Sequence, residues 1–308
     1  MILNHLHPLV SIVIPAYNGM PYLEEAIESV LSQDYPNIEL IVLDDGSTDN
    51  TFEFLKKYKG TFYFDSHANM GQAATLNKGW QLSRGDIIGY LSADDLLTKN
   101  AVSTTVNAFL ENTDIVLTYP DNYVINSKSE IIRKHTAPEY DYYDFIIHAK
   151  CRIGVGAFFL KSAFNQIGGW DSKYRLMPDY AYQLRLAKIG KFKYIPQVLG
   201  YSRLHAQALS LNKVSPEAAD EFITLMKNEF KMITDEKLIN IKDKILSRSY
   251  LFSARTHLES GRYKTAIHYI ATAIKLDLSQ LLKQDFYRIT LNAFLKKIYI
   301  KKIQGASK

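Results

Sequence analysis

The chain reads VSIVIPAYNGMPYLEEAIESVLSQDYPNIELIVL from Val10 to Leu43, and this stretch decides the fold. Its first five residues form a short apolar run ended by Pro15, which is typical of a buried strand. Apolar residues then recur at three- and four-residue spacing from Tyr22 to Leu31, which predicts a helix. A second apolar run, Ile38 to Leu43, predicts the next strand. Strands and helices that alternate through short loops indicate a parallel sheet with helices on both faces.

The alternation continues to Thr118 and then weakens. It predicts helices over 49–58, 72–82 and 98–110, the last capped by Thr98, and strands over 61–64, 86–91 and 115–118. Farther on, we expect a hairpin over 122–133, a long loop, a helix over 178–188 and strands over 192–195 and 198–203. The predicted fold class is α/β, with a Rossmann-like, mostly parallel sheet followed by a C-terminal helical segment.

Composition is that of an ordinary globular protein. Of 308 residues, 47% are hydrophobic and 22% charged, which argues against a disordered chain. The net charge of +5 suggests affinity for something anionic but does not choose among phosphates, lipid headgroups and nucleic acid. The single cysteine, Cys151, is more typical of a small buried apolar residue than of a reactive thiol. With no signal peptide or membrane-spanning stretch recognised, we expect a cytoplasmic protein, soluble or peripheral at the inner face of the membrane.

Acidic residues follow the ends of predicted strands or begin a helix. Asp44 and Asp45 close the second strand, Asp94 and Asp95 follow the strand at 86–91, and Asp179 begins a helix. Doubly wound sheets bind ligands beyond the carboxyl ends of their strands. Paired carboxylates there suit a hard divalent cation shared with substrate phosphates. A plain turn, a helix cap and a helix-start acid are the alternative interpretations of the three positions.

Several short motifs, in order, resemble the inverting family-two glycosyltransferases of the GT-A fold. They are Ser11 to Asn18, Val42 to Asp49, Asn69 to Gln72, Leu76 to Gly79, Gly85 to Ile88, Leu91 to Asp95, Gly168 to Asp171, Asp179, and Tyr201 to His205. From the first motif to the last, the resemblance covers about two-thirds of the chain. The resemblance implies a catalytic domain over residues 1–214 and a helical region over 215–308.

The resemblance also implies donor-binding residues. Pro15, Ala16 and Tyr17 would line the base pocket, and Asp45, supported by Asp44, would accept a hydrogen bond from the base. A uracil offers such a donor, so a UDP-sugar is expected. Asp94 would contact the ribose or sugar, and Arg203 the diphosphate. Asn69, Gln72, Asn77 and Lys78 would contact nucleotide or sugar, with helix capping and a solvated helix face as the alternative.

The remaining implied roles concern metal, catalysis and acceptor. Asp95 would bind Mn²⁺ or Mg²⁺, with His205 as a further ligand or, alternatively, a surface histidine. Asp179 would act as general base. Trp170 and Asp171 would face the acceptor, with core packing as the rival for Trp170. Two departures from the common pattern stand out: Ser92 replaces an aspartate and Pro178 replaces a glutamate.

The C-terminal region predicts helices. Ser215-Pro216-Glu217 is typical of a helix start. Residues at about 247–280 resemble one tetratricopeptide-like hairpin, which would need to pack on the catalytic domain, on flanking helices or on a second subunit in a homodimer. Residues 281–308 hold seven basic residues against one acid. They suggest either an amphipathic helix on an anionic membrane surface or a solvated terminal helix.

The functional expectation is an enzyme of hexosyl- or N-acetylhexosaminyl-transferase type that builds cell-envelope polysaccharide. It would move one sugar from a nucleotide-sugar to a hydroxyl of a glycan or lipid-linked acceptor, with no nucleic-acid partner. The alternatives are a catalytically silent nucleotide-sugar-binding scaffold and a dehydrogenase-like protein. A dehydrogenase-like protein is disfavoured because no Gly-x-Gly-x-x-Gly turn follows any predicted strand of this sequence.

Overall fold

The computed structural model describes residues 7–148, 151–205, 214–282 and 286–287. The chain divides into two compact units. The first unit holds residues 1–140, 151–172 and 178–204, and the second holds 141–150, 173–177 and 205–308. Three short segments of the predicted catalytic domain, 141–150, 173–177 and 205–214, therefore belong to the second unit. Along the described ranges, no helix combines the length and the apolar character needed to cross a bilayer.

The first unit contains one sheet and six α-helices among its described residues. The strands are β1 (Val10–Ala16), β2 (Ile38–Asp44), β3 (Tyr63–Ser66), β4 (Ile87–Tyr90), β5 (Leu96–Leu97), β6 (Ile115–Ile125), β7 (Ile131–His135), β8 (Phe158–Leu160) and β9 (Lys191–Arg203). The helices are α1 (Leu23–Leu31), α2 (Thr51–Leu55), α3 (Gln72–Leu82), α4 (Ala101–Glu111), α6 (Lys161–Ile167) and α7 (Pro178–Leu186). The helix α5 (Tyr142–His148) belongs to the second unit.

The sheet is mixed. Its strand order is β3-β2-β1-β4-β8-β6-β9-β5, with β7 on β6. β1, β2, β3 and β4 run parallel to one another, and β6 runs parallel to β9. β8 is antiparallel to both β4 and β6, and β5 is antiparallel to β9. The parallel half follows the predicted alternation, and its carboxyl ends lie along one edge.

The core lies on both faces of the parallel half. Every residue of β1 except Pro15 is buried, as the continuous apolar run predicts. On α1, the buried residues Leu23, Ala26, Ile27 and Val30 repeat at helical spacing. On α3, Trp80 is fully buried and its Nε1–H donates to the Gly89 carbonyl at 3.1 Å. These contacts fix the strand ends that carry the candidate site.

Most predicted elements of the first 125 residues are present, with shifted ends. The 72–82 helix is confirmed, while the strand predicted at 61–64 begins at Tyr63. Thr98 is not the cap of α4, which begins at Ala101 after Asn100. The two strands predicted at 192–195 and 198–203 are one strand, β9. Its register against β6 shifts at Pro196, which cannot donate to the ladder and is accommodated as a bulge.

The prediction of a long loop after residue 133 is wrong in part, because this segment contains α5, β8 and α6. These elements are three to seven residues long. Such short segments do not complete a recognisable period, and tertiary packing decides their structure.

The second unit is helical among its described residues. Besides α5 it contains α8 (Pro216–Ala219), α9 (Glu221–Glu229), α10 (Glu236–Asn240), α11 (Lys242–Glu259), α12 (Tyr263–Leu276) and a 3-10 turn at Leu278–Leu282. The predicted cap is confirmed, because Ser215 Oγ accepts from the Ala218 N–H at 3.2 Å.

The predicted hairpin region forms the antiparallel pair α11 and α12. Ser247 Oγ donates to the Ala273 carbonyl at 2.7 Å, which joins the two helices. Asp220 accepts from Tyr269 Oη at 2.9 Å and lies 3.0 Å from His257 Nε2. The pair therefore packs on the flanking helices. Its likeness to a tetratricopeptide repeat stays a prediction, as does a homodimer. Of the basic segment 281–308, only residues 281–282 and 286–287 lie in the described ranges.

Candidate active site

Three parallel strands, β2, β1 and β4, end side by side at one edge of the sheet. The Asp45 N–H, just after β2, donates to the Ala16 carbonyl at the end of β1 at 2.8 Å. The Asn18 N–H donates to Ser47 Oγ at 2.8 Å, which ties the two following loops together. Because β2 and β4 both flank β1, their ends lie about 10 Å apart, twice the usual strand spacing. That span suits an extended ligand.

Asp44 and Asp45 are buried and play different local roles. Asp44 accepts from Ser66 Oγ at 2.6 Å and from the Ser47 N–H at 3.1 Å, so it braces the turn after β2. Asp45 accepts from the N–H groups of Met70 and Gly71 at 2.7 and 3.0 Å. A carboxylate has about four acceptor positions, so Asp45 can take another donor.

The turn that presents Asp45 depends on Gly46. Its φ is +71°, a left-handed conformation that side chains with a Cβ rarely adopt. A Cβ at this position would lie 2.7 Å from the backbone nitrogen of Asn69. The Asp-Asp-Gly sequence is therefore needed to pass this close to the loop before α3.

The three residues at the end of β1 and just after it differ in exposure. Tyr17 is 53% exposed, whereas Ala16 is buried with its carbonyl engaged by Asp45, and Pro15 is half-buried. Among the three residues predicted to line a base pocket, Tyr17 offers the aromatic surface.

The other predicted donor residues flank the start of α3. Asn69 and Gln72 are exposed. Lys78 Nζ donates to Asp65 Oδ2 at 2.8 Å and lies 3.2 Å from Nδ1 of His67. His67, which the sequence reasoning missed, also lies 3.4 Å from Asp45 Oδ1. Lys78 therefore supports the Asp45 region through His67.

Asp94 and Asp95 lie in the loop between β4 and β5. Burial and the neighbouring charge of Asp94 raise the pKa of Asp95 from 3.8 to about 8. The N–H of Arg203 donates to Asp95 Oδ1 at 2.8 Å. Two adjacent carboxylates thus share a partly buried loop, at an electrostatic cost that a cation would relieve.

Arg203 braces this loop. The side chain is 0% exposed, and its Nε donates to the Asp94 carbonyl at 2.8 Å. The other guanidinium nitrogens donate to Ser129 Oγ and Glu25 Oε2, both at 2.8 Å. The predicted phosphate contact does not match this arrangement, because the fork is buried and its donors are engaged by the protein. Arg203 instead fixes the backbone that carries Asp94 and Asp95.

Asp179 lies at the first turn of α7 and is half-buried. Burial raises its pKa, while a hydrogen bond from Cys151 opposes that shift. Cys151 Sγ donates to Asp179 Oδ2 at 2.9 Å. The carboxylate is therefore a stronger base than an ordinary surface aspartate.

Tyr90, the last residue of β4, connects Asp179 with the Asp94–Asp95 loop. Burial raises the pKa of the Tyr90 phenol well above its usual value, and the charges of Asp179, Asp95 and Asp94 raise it further. Coulomb interactions of this kind fall off with distance. The charges of Asp179 and of the Asp94–Asp95 loop therefore act on the same hydroxyl group.

The predicted acceptor residue Trp170 packs in the core. It is 4% exposed, and its ring contacts Trp80 and Tyr90 with centroids 5.7 and 5.4 Å apart. Sugar stacking on its face is therefore not supported, because aromatic neighbours cover it. Its backbone exchanges two hydrogen bonds with the Asn77 side chain, at 2.7 and 2.8 Å. Asn77 thus joins α3 to this turn rather than presenting its amide to a donor. Asp171 is half-buried.

His205 belongs to the second unit, so its proximity to Asp95 stays a prediction. Within the described ranges, no group of three or more His, Cys, Asp or Glu side chains could by itself hold a metal ion.

Comparisons with known proteins identify the family. The model for "Glycosyl transferase family 2" matches residues 11–168, half of the chain. The chain belongs to glycosyl transferase family 2. It is thus a glycosyltransferase, and the resemblance inferred from its motifs is confirmed.

One curated relative is the hyaluronan synthase of Pasteurella multocida, 28% identical over 307 residues. The match spans 94% of this chain but only 30% of that protein, so the chain corresponds to about a third of its relative's length.

Two solved structures share the fold. The crystal structure of S. aureus TarS in complex with UDP is 14% identical with a TM-score of 0.62, over 90% of this chain and 92% of that one. The mannosyltransferase PcManGT from Pyrobaculum calidifontis, in complex with GDP-Man and Mn²⁺, is 16% identical with a TM-score of 0.60, over 95% and 88%. These likenesses confirm the GT-A fold.

Sequence reasoning missed several residues of this region: Glu25, His67, Tyr90 and Gln183. The sequence could have indicated Gln183, because it follows Asp179 by four residues and so lies on the same face of the predicted helix. The others carry no local pattern, since their roles arise only when distant segments meet.

Proposed function

We propose that this glycosyltransferase moves one sugar from a UDP-sugar to a hydroxyl of a glycan or lipid-linked acceptor, with inversion and with a divalent cation. The observation that carries the proposal is that the charges of Asp94, Asp95 and Asp179 all act on Tyr90, the last residue of β4, while Asp45 follows β2 at the same edge of the sheet. Such an edge would hold a nucleotide diphosphate along its length, with a base at one end and the reacting sugar at the other.

The base end is supported by Asp45 and Tyr17. Uracil carries a ring N–H that a carboxylate accepts, and an exposed aromatic ring offers a stacking face. Asp45 has remaining acceptor capacity. The exposed Tyr17 follows β1, which is the strand paired with β2, and Asp45 follows β2. The complex of TarS with UDP is consistent with this choice of nucleotide.

The donor set around Asp95 fits a divalent cation. Mg²⁺ and Mn²⁺ accept hard oxygen ligands and are commonly held by one or two carboxylates together with substrate phosphates. Asp94 and Asp95 match that pattern, and the raised pKa of Asp95 reflects its burial and the adjacent charge of Asp94. Asp95 would be the ligand, with His205 a candidate for a further position. The cation would supply Lewis-acid stabilisation of the departing diphosphate.

Asp179 would remove the proton from the acceptor hydroxyl. Alcohols are poor nucleophiles at neutral pH, so attack is assisted when a base accepts the proton in the transition state. The raised pKa of Asp179 strengthens it as a base, and its carboxylate form predominates above that pKa. Attack from the face opposite the leaving group inverts the anomeric carbon without a covalent enzyme intermediate. Asp171 remains the candidate for an acceptor contact.

The test is release of UDP from a panel of UDP-sugars, with glycan acceptors, in Mn²⁺ and in EDTA. Metal-dependent release that requires Asp95 and Asp179 supports the proposal. Nucleotide binding without release from any donor would indicate a silent binding protein instead.

A further inference from the structure

The single cysteine of the chain contacts the proposed base. Cys151 Sγ lies 2.9 Å from Asp179 Oδ2 and 3.3 Å from the Ile153 carbonyl, so the carboxylate is the nearer acceptor for the thiol proton. The Gln183 side-chain amide donates to the same Sγ at 2.8 Å. The thiol thus lies between a group that donates to it and a group that accepts from it.

Gln183 anchors this chain of contacts. It is fully buried, and its Oε1 accepts from the Arg152 N–H at 2.8 Å. This bond orients the amide so that its nitrogen points at Cys151. Because Gln183 and Asp179 lie one helical turn apart on α7, the cysteine bridges two positions on one face of that helix. A buried amide that lost these partners would incur a desolvation cost, which holds the arrangement in place.

We infer that Cys151 is a positioning residue for glycosyl transfer, holding the Asp179 carboxylate in the orientation from which it accepts the acceptor proton. The inference rests on the proposed role of Asp179 as base. Cys151 forms no bond to substrate in this role, and its thiol keeps its proton throughout.

The electrostatics of the cluster favour a protonated thiol. Cys151 is exposed as a residue, yet desolvation around its sulfur and the charge of Asp179 raise the thiol pKa well above its usual value. Asp179 supplies the charge that opposes ionisation of the thiol. The thiol therefore serves as a hydrogen-bond donor at neutral pH rather than as the reactive nucleophile that a lone cysteine could suggest.

The contact can be tested without any transferase activity. Cys151 is the only cysteine, so the rate of alkylation by iodoacetamide against pH reports one thiol. Asp179→Asn removes the neighbouring charge and should lower the thiol pKa, so that alkylation at pH 8 becomes faster. Asp114→Asn removes an exposed carboxylate elsewhere in the first unit and should follow the wild type. Superimposable curves for Asp179→Asn and wild type would overturn the inference.

The catalytic consequence is tested by Cys151→Ala and Cys151→Ser in the full chain. Loss of the donor should move the acidic limb of the kcat profile up by about 0.5 to 1 pH unit in the alanine variant. The KM for the donor sugar should stay within about twofold, and serine, which keeps an O–H donor, should restore most of the profile. An alanine profile that coincides with the wild type overturns the inference but leaves the proposed function intact. Absence of transfer by the wild type overturns both.

Discussion

Replacing Asp95 with asparagine should change how the stability of the metal-free protein depends on pH. Burial and Asp94 raise the pKa of Asp95 from 3.8 to about 8 in the folded state. Between these two values the folded state holds a proton that the unfolded state has released. Stability must therefore fall as pH rises through this window, by about 1.4 kcal/mol per pH unit from this group.

The expected magnitude follows from the width of the measured interval. From pH 5.5 to 7.5, Asp95 should remove roughly 2 to 3 kcal/mol from the free energy of unfolding of the wild type. Asp95→Asn has no such group, yet its side-chain oxygen can still accept from the Arg203 N–H. The difference in unfolding free energy, variant minus wild type, should accordingly grow by about 2 to 3 kcal/mol across this interval.

The assay is urea unfolding in EDTA, followed by tryptophan fluorescence. Both tryptophans, Trp80 and Trp170, lie in the first unit, so the signal reports the unit that contains Asp95. Asp34→Asn, which removes an exposed carboxylate from the same unit, controls for the change in net charge. Parallel curves for wild type and Asp95→Asn between pH 5.5 and 7.5 would refute the reasoning.

The remaining predictions concern the base, the braced loop and the turn after β2. Asp179→Asn should bind UDP within about twofold of the wild type by calorimetry but lose roughly 100- to 10,000-fold in transfer rate; a loss below tenfold would remove Asp179 as base. In Arg203→Lys the single ammonium cannot make the hydrogen bonds that the guanidinium donates in three directions. The unfolding free energy of the first unit in urea should therefore fall by about 2 kcal/mol. An unchanged midpoint would contradict the bracing role. Gly46→Ala should lower the unfolding free energy by about 1 to 3 kcal/mol in the same assay, and by more than Gly60→Ala. Both glycines have positive φ, but of the two only Gly46 lies against another backbone segment. Equal losses would argue against the close approach.

The parallel half of the fold follows from the sequence because local signals agree there. The apolar run of β1, the helical spacing of α1 and the Asp-Asp-Gly turn after β2 each specify one structure, and their order specifies the connection. The segment after residue 133 lacks such agreement. Its short elements depend on tertiary partners, as β8 depends on pairing with β4 and β6, so no local period marks them.

The sequence predicts the positions of candidate site residues where a motif directly follows a predicted strand. Asp94 and Asp95 follow β4 directly, and Asp45 follows β2, so the topology alone brings them to one edge. Arg203 and Trp170 show the opposite case. Their residue types suit phosphate and sugar, yet the same properties, a planar fork and a large ring, also suit bracing and core packing. Only burial distinguishes the two uses, and burial depends on neighbours that are distant in the chain, such as Glu25 and Trp80.

The roles of Cys151 and Gln183 could not be read from either residue alone. A cysteine and a glutamine 32 positions apart carry no shared pattern. The contacts of Cys151 with Asp179 and Gln183 depend on the loop before β8 lying against α7.

Glycosyl transfer itself is tested most directly by UDP release from UDP-sugars in Mn²⁺ by three proteins: wild type, Asp95→Asn and Asp179→Asn. The account predicts release by the wild type, its loss in EDTA, and little or none from either variant, although Asp179→Asn still binds UDP. Release that persists in EDTA or in both variants would contradict it.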